Sequence, residues 1–225
     1  MLVSVVIPTL NEEDQICATL RALAAQPGPM ERIVVDGGST DTTVERADSL
    51  ATVVNGPQGR GPQMNRGAEV ATGDALLFLH ADTRLPPEGL QHIRTALSRD
   101  TVESGIFRLS FDTTTPVLRL YSWCTRLPWI RIAFGDRGLF AQRDAFDAVG
   151  GFPEWPLFED LELASRLHQR GTFQFLPHAV TTSARRFEAY GALQQQLRNL
   201  YLWTHYLRGT DPHDLRDLYP YDASS

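Results

Sequence analysis

A chain of 225 residues can bury roughly 70% of the surface its unfolded form exposes, so a full core is within reach. With 42% hydrophobic and 21% charged residues and a mean hydropathy of −0.23, it is excluded from the disordered and fibrous classes. The net charge of −6, with no basic stripe, argues against a nucleic-acid partner, and because every basic residue is Arg, any lysine-dependent mechanism is excluded as well.

Cys17 and Cys124 form no CxxC pattern and follow no secretory n-region, so the expected compartment is a reducing cytoplasm. The first apolar run, Leu2 to Ile7, stops at Pro8 and meets Asn11-Glu12-Glu13, too short for a membrane span, and no other window approaches one.

The first half alternates short Val/Ile/Leu runs with amphipathic segments. "LVSVVI" reads as a strand, Glu12 to Gln26 as a helix, "RIVVD" as a strand, and Thr42 to Leu50 as a helix. "ATVVN", the loop "GPQGRGP", a helix through "QMNRGAEVA" and the strand "ALLFLH" continue the pattern. This is the rhythm of a mostly parallel sheet covered by helices, with four strand ends pointing one way. After Pro86-Pro87 the rhythm loosens into a mixed second half. A helix from Glu88 to Ser98 precedes an extended "SGIFRLSFD", an aromatic "LYSWCTRLPWIR" and a Gly-flanked "GDRGLFAQ". A helix from Glu159 to Arg170, a strand "TFQFLP" and a helix from about Tyr190 to Leu207 complete the chain.

In open α/β sheets ligands sit outside the carboxyl ends of the strands. Here those ends read Pro8-Thr9-Leu10-Asn11-Glu12, Asp36-Gly37-Gly38-Ser39-Thr40-Asp41, Gly59-Arg60-Gly61 and His80-Ala81-Asp82, a polar, glycine-rich and acidic collection. Asp36 before two glycines can meet a base or a ribose hydroxyl, whereas Asp41 reads equally as a helix-start cap. Arg60 suits a diphosphate or plain solvent, and Arg66 reads more readily as a solvated surface residue. Asp82 supplies one oxygen ligand of the kind Mg²⁺ or Mn²⁺ takes beside substrate phosphates. Glu159-Asp160 opens a helix, where carboxylates also complement the dipole.

"VVIPTLNEE", "VVDGGSTD", "FLHADT" and "FEDLELASRL", in this order and spacing from Val5 to about Arg186, resemble the successive signatures of the inverting family 2 glycosyltransferases. "LHADTRLP", "GDRGLF" and "TSARRF" are most similar to a small bacterial stand-alone subgroup with an HAD variant of the DXD motif. The resemblance implies an α/β fold of the GT-A type, a Rossmann-like mixed sheet flanked by helices. It implies a single domain over residues 1–225, in which 1–86 bind nucleotide and 87–225 form the acceptor half. The implied activity is an inverting, hexosyltransferase-type transfer from a UDP- or GDP-sugar to an unidentified acceptor hydroxyl, assisted by Mn²⁺ or Mg²⁺.

The resemblance implies Asp160 as general base and Glu159 as the acceptor-orienting carboxylate. Asp82 becomes a metal ligand, and His178 reads either as a second ligand, as a downstream His is in some GT-A relatives, or as a structural histidine. The residues expected to face donor or acceptor are Pro8, Leu10, Asn11, Glu12, Asp36, Gly38, Asp41, Gly59, Arg60, Asn65, His80, Ala81, Asp82, Asp136, Trp155, Arg185 and Arg186. The departure is His80, which stands where the usual motif has its first Asp. Arg185 and Arg186 suit a diphosphate or an anionic acceptor. Trp123, Trp129 and Trp155 are open as acceptor-wall candidates. The last helix reads as core packing, with a peripheral membrane contact left open. Two rival readings are a sugar-phosphate nucleotidyltransferase, which would need a glycine-rich start and a Lys, and a catalytically idle nucleotide- or sugar-binding module.

Overall fold

The computed structural model describes residues 1–99, 101–133, 137–185, 187, 191–216 and 218. One eight-stranded sheet runs, in spatial order, β3 (Thr52–Asn55), β2 (Met30–Asp36), β1 (Val3–Thr9), β4 (Ala75–Phe78), β7 (Leu139–Gln142), β6 (Val102–Phe111), β8 (Thr172–Thr182) and β5 (Thr83–Arg84). The first four strands are mutually parallel, so their carboxyl ends share one edge as the sequence implies. β7 lies antiparallel to both β4 and β6, β8 is parallel to β6, and β5 closes the edge antiparallel to β8.

Central β1 is buried along its whole length. Val3, Val5 and Ile7 enter the core on one face and Val6 the core on the other, the two-residue alternation of a strand covered on both sides. The first face is covered by α1 (Ile16–Ala24), α2 (Thr43–Asp48), α4 (Gly89–Leu97) and α5 (Pro116–Cys124). The second is covered by α3 (Arg60–Val70), α6 (Arg143–Ala148), α7 (Glu159–Arg170) and part of α8 (Ala192–Leu207), with a short α9 (Pro212–Arg216) following. Gly67 lets α3 come close: a Cβ there would stand 2.2 Å from Val6 Cγ1.

Three features depart from the sequence reading. The first helix begins at Ile16 rather than Glu12, because the backbone around Asn11 and Glu12 is bonded to the loop after β2. The aromatic segment contains α5, started by Pro116 and by a Thr115 side chain that accepts from Leu118 N at 3.3 Å, and then a 3-10 turn, Ile130–Ile132. α8 was expected to pack its apolar face in the core. Leu202, Trp203 and Tyr206 do turn inward, but Leu193, Leu197, Leu200, Tyr201 and Leu207 face outward. The helix carries apolar residues on two sides, and periodicity alone does not say which is covered.

Arg137 is a buried residue that the sequence did not single out. Its guanidinium donates to the carbonyls of Phe107 at 2.9 Å, Ile132 at 2.9 Å and Thr125 at 3.0 Å, fastening β6, the end of α5 and the 3-10 turn together. A buried charge is tolerated when its donors find such partners.

Candidate functional site

Along the common edge, the loops after β1 and β2 are stitched to each other. Asn11 adopts a left-handed conformation with φ 53°; its N–H donates to Ser39 Oγ at 2.9 Å, and its Oδ1 accepts from Thr40 N at 2.9 Å. Glu12 N donates to Thr43 Oγ1 at 2.8 Å. Asp36 is buried and accepts from Gly38 N and Ser39 N, each at 3.0 Å, and from Ser39 Oγ at 2.5 Å. Its carboxylate shapes the Gly37–Ser39 loop, and Gly38 is needed there because φ is 102°. Pro8 is buried within β1, and Leu10 is half-buried just beyond it.

Asp41 caps the start of α2. Its Oδ1 accepts from Thr43 N at 2.9 Å and Thr43 Oγ1 at 2.5 Å, and its Oδ2 from Glu13 N at 3.2 Å, closing the turn into α2. Burial alone would raise this carboxyl, but those hydrogen bonds outweigh it and hold it below the ordinary aspartate range. Asn65 likewise has its amide engaged elsewhere: Nδ2 donates to Phe152 O at 2.9 Å while Oδ1 accepts from Phe152 N at 2.9 Å. Asn65 thereby braces α3 against the loop before α7.

β4 delivers His80, Ala81 and Asp82 to the same edge. His80 is half-buried, and its carbonyl accepts from Thr83 N at 3.0 Å, forming the turn that presents Asp82. Ala81 is buried with its carbonyl accepting from Thr19 Oγ1 at 2.5 Å. Two hydroxyls approach Asp82 Oδ1, Thr83 Oγ1 at 3.3 Å and Thr182 Oγ1 at 3.4 Å. Neither threonine was singled out, although "TSARRF" begins at Thr182. Ser183 N donates to Asp82 O at 3.2 Å. Two residues on, Arg185 makes an ion pair with Glu12. The segment after β8 is thus folded back over the strand ends.

His178 stands apart from this cluster. It stacks on His92 of α4 with ring centroids 3.6 Å apart and planes 6° from parallel. Burial, followed by His92 and Arg108, holds its imidazole below the ordinary value. Thr182, the β8 residue that meets Asp82, lies four residues further along, on the order of 13 Å in an extended strand. The stack on His92 and that spacing speak against His178 sharing a cation with Asp82. Among the described residues no three His, Cys, Asp or Glu side chains gather as a metal cluster.

α7 carries the two carboxylates, and the start of α3 packs against it. Gly59, with φ 115°, precedes α3, whose first residue is Arg60. Gly61 lies so close to the α7 loop that a Cβ would stand 2.7 Å from Pro153 O and 3.6 Å from Glu159 Cβ. Glu159 and Asp160 are both buried at the start of α7, after Phe158 in a left-handed conformation with φ 64°. Burial raises the Glu159 carboxyl above its ordinary value, with the Arg60 charge pulling the other way. Consecutive helical residues project about 100° apart, so Glu159 and Asp160 face different sides. Trp155 and Phe158 pack on Tyr206 of α8, with centroids 6.4 Å and 4.7 Å away. Tyr206 donates to Glu162 Oε2 at 3.3 Å, and burial, followed by the Glu162 charge, pushes its phenol up to about 12.

Trp123 and Trp129 are exposed on α5 and before the 3-10 turn. Asp136 and Arg186 lie outside the described residues.

A family model described as Glycosyl transferase family 2 matches residues 4–152. A PGL/p-HBAD biosynthesis glycosyltransferase of Mycobacterium tuberculosis is 42% identical over 91 residues, 36% of this chain and 36% of that protein. The probable glycosyltransferase YdaM of Bacillus subtilis is 28% identical over 208 residues, 80% of this chain and 50% of its own length. The chain therefore spans a third to a half of these curated relatives. Among solved structures, the mannosyltransferase PcManGT from Pyrobaculum calidifontis in complex with GDP-Man and Mn²⁺ superposes with a TM-score of 0.72 at 20% identity, covering 96% of this chain and 67% of that one. S. aureus TarS 1-349 in complex with UDP-GlcNAc gives 0.64 at 20% identity, covering 81% and 58%. Both share the mixed, helix-flanked GT-A sheet described above.

Proposed function

Because the chain belongs to glycosyl transferase family 2, we propose that it transfers a sugar from a nucleotide-diphosphate sugar, a UDP- or GDP-sugar, to an acceptor hydroxyl with inversion at the anomeric carbon. The observation that carries this reading is the convergence of the Asn11–Glu12, Asp36–Ser39 and His80–Asp82 loops on one sheet edge, closed over by Arg185. Residues 1–86 then act as the nucleotide-binding half and 87–225 as the acceptor half.

Asp82 fits a hard divalent cation. Mg²⁺ and Mn²⁺ take oxygen ligands, commonly one or two carboxylates with the remaining positions filled by water and substrate phosphates, so a single strand-end carboxylate is a sufficient protein contribution. When bound, such a cation offsets the charge that develops on the leaving diphosphate. Arg60 at the start of α3 and Arg185 against Glu12 are the chain's own cations on that side, in the absence of any lysine. His80 is assigned a hydrogen bond to the nucleotide in place of the aspartate usual at that position.

Asp160 is assigned as general base. The acceptor oxygen attacks the anomeric carbon as the bond to the diphosphate breaks, and its proton passes to the Asp160 carboxylate. Glu159, whose carboxyl feels the Arg60 charge, is assigned to orient the acceptor. The loop from Gly151 to Phe158, braced by Asn65 and backed by Tyr206, forms the acceptor wall, with Trp155 its sugar-stacking residue. A thermal-shift screen of UDP- and GDP-sugars with Mn²⁺ tests the reading. A ligand at a hundred times its dissociation constant stabilises by roughly 2.7 kcal/mol. A shift with one sugar nucleotide, followed by its metal-dependent hydrolysis or transfer, supports an enzyme. A shift without any turnover leaves a binding module, and no shift with any of them overturns the reading.

A further inference from the structure

We propose that α5, the 3-10 turn and the outward side of α8 form one docking face for an anionic lipid bilayer. α8 exposes Leu193, Leu197, Leu200, Tyr201 and Leu207 by between 40% and 63%, and at 100° per residue these fall on a single arc of about 120°. α5 lies against α8 and exposes Leu120 and Trp123, while Trp129 stands 62% exposed before the 3-10 turn. Trp203 Nε1 donates to Arg131 O at 2.8 Å, so that turn is bound to the same helix. Among the described residues these apolar side chains are exposed together, and large exposed apolar patches commonly mark interaction sites.

Charge selects the occupant. The chain holds 27 Asp and Glu, yet none falls between Thr113 and Ala133 or between Gly191 and Thr210. The same two segments carry Arg119, Arg126, Arg131, Arg198 and Arg208. The two segments that expose Trp123, Trp129 and the leucines of α8 thus carry arginines and no carboxylate of their own, the combination that suits a negatively charged interface. Beside α5 opens a cavity of about 540 Å³ lined by Arg119 and Arg126 together with Phe111, Leu120 and Trp123, a mixed cationic and apolar lining that suits the boundary between lipid headgroups and acyl chains. The inner side of α8 backs the acceptor wall through Tyr206 and Phe158, so docking would bring that wall to the membrane surface.

Flotation with vesicles of phosphatidylcholine alone, or of phosphatidylcholine mixed with phosphatidylglycerol, tests this on the full chain. Binding is expected to the mixed vesicles and to weaken as salt is added. Arg119→Gln with Arg126→Gln is expected to lower partitioning roughly 5-fold for each arginine removed. Leu197→Glu with Leu200→Glu is expected to abolish it, and since those side chains are exposed, circular dichroism and nucleotide binding should match the wild type. Brominated lipid in the mixed vesicles should quench the exposed tryptophans of the unmodified protein, a readout that needs no variant. No binding to anionic vesicles, or equal binding by the variants, overturns the proposal. A concentration-dependent dimer lost in the leucine variant, without vesicle binding, overturns it in favour of a second copy of the chain.

Discussion

The Arg185 guanidinium reaches across 173 residues of sequence to the Glu12 carboxylate, joining the segment after β8 to the loop after β1. Glu12 N is itself held by Thr43 at 2.8 Å, so a single pair connects three loops at the strand ends. Arg185→Gln is expected to weaken UDP or GDP affinity on the order of tenfold, the worth of a charge-assisted bond. Because the Arg185 side chain is 31% exposed, the loss of thermal stability should stay within about 1 kcal/mol. Calorimetric titration alongside thermal unfolding separates the two effects.

Asn65 spends both ends of its amide on the Phe152 backbone. Asn65→Ala orphans two partly buried backbone groups and is expected to cost about 1–3 kcal/mol. In a domain of this size that lowers Tm by roughly 2–4 °C per kcal/mol. Sugar turnover should fall further than nucleotide affinity, since the loop being braced leads to Asp160 rather than to the strand ends.

Glu159 gives stability a pH signature. Burial raises its carboxyl, so between the ordinary glutamate value and the raised one the folded chain keeps a proton that the unfolded chain has released. Stability contributed at this site therefore falls as pH climbs through that window. Glu159→Gln preserves shape without the ionisation. It should be more stable than the wild type at neutral pH and indistinguishable below the ordinary glutamate range, as measured by unfolding across pH.

Asp160→Asn should bind donor nucleotide like the wild type yet transfer or hydrolyse the sugar nucleotide on the order of 10²- to 10⁴-fold more slowly. Near-normal turnover in this variant, with loss in Glu159→Gln, would move the base by one residue.

The βα rhythm of the first half made the four parallel strands and their shared edge legible, because a buried central strand such as β1 must be apolar throughout. α7 was readable to the residue, Glu159–Arg170, from its acidic first turn and basic last turn. What sequence could not show was the scaffolding work of single polar residues: the hydrogen bonds of Asp41 to Glu13 and of Asn65 to Phe152 join residues whose pairing no local pattern marks. His178 follows the same rule, since its neighbour His92 lies 86 positions earlier in the chain. The outward stripe of α8 was hidden because an amphipathic period marks a face without saying what meets it.

Titration of UDP and GDP into the wild type and Asp82→Ala, each with and without Mn²⁺, bears most directly on whether a metal-assisted nucleotide site lies at these strand ends. The wild type should bind one of the two nucleotides more tightly with Mn²⁺, and Asp82→Ala should lose that metal-dependent gain while keeping the wild-type fold by circular dichroism. Equal, metal-dependent binding by both proteins, or no nucleotide binding by the wild type, would contradict the assignment.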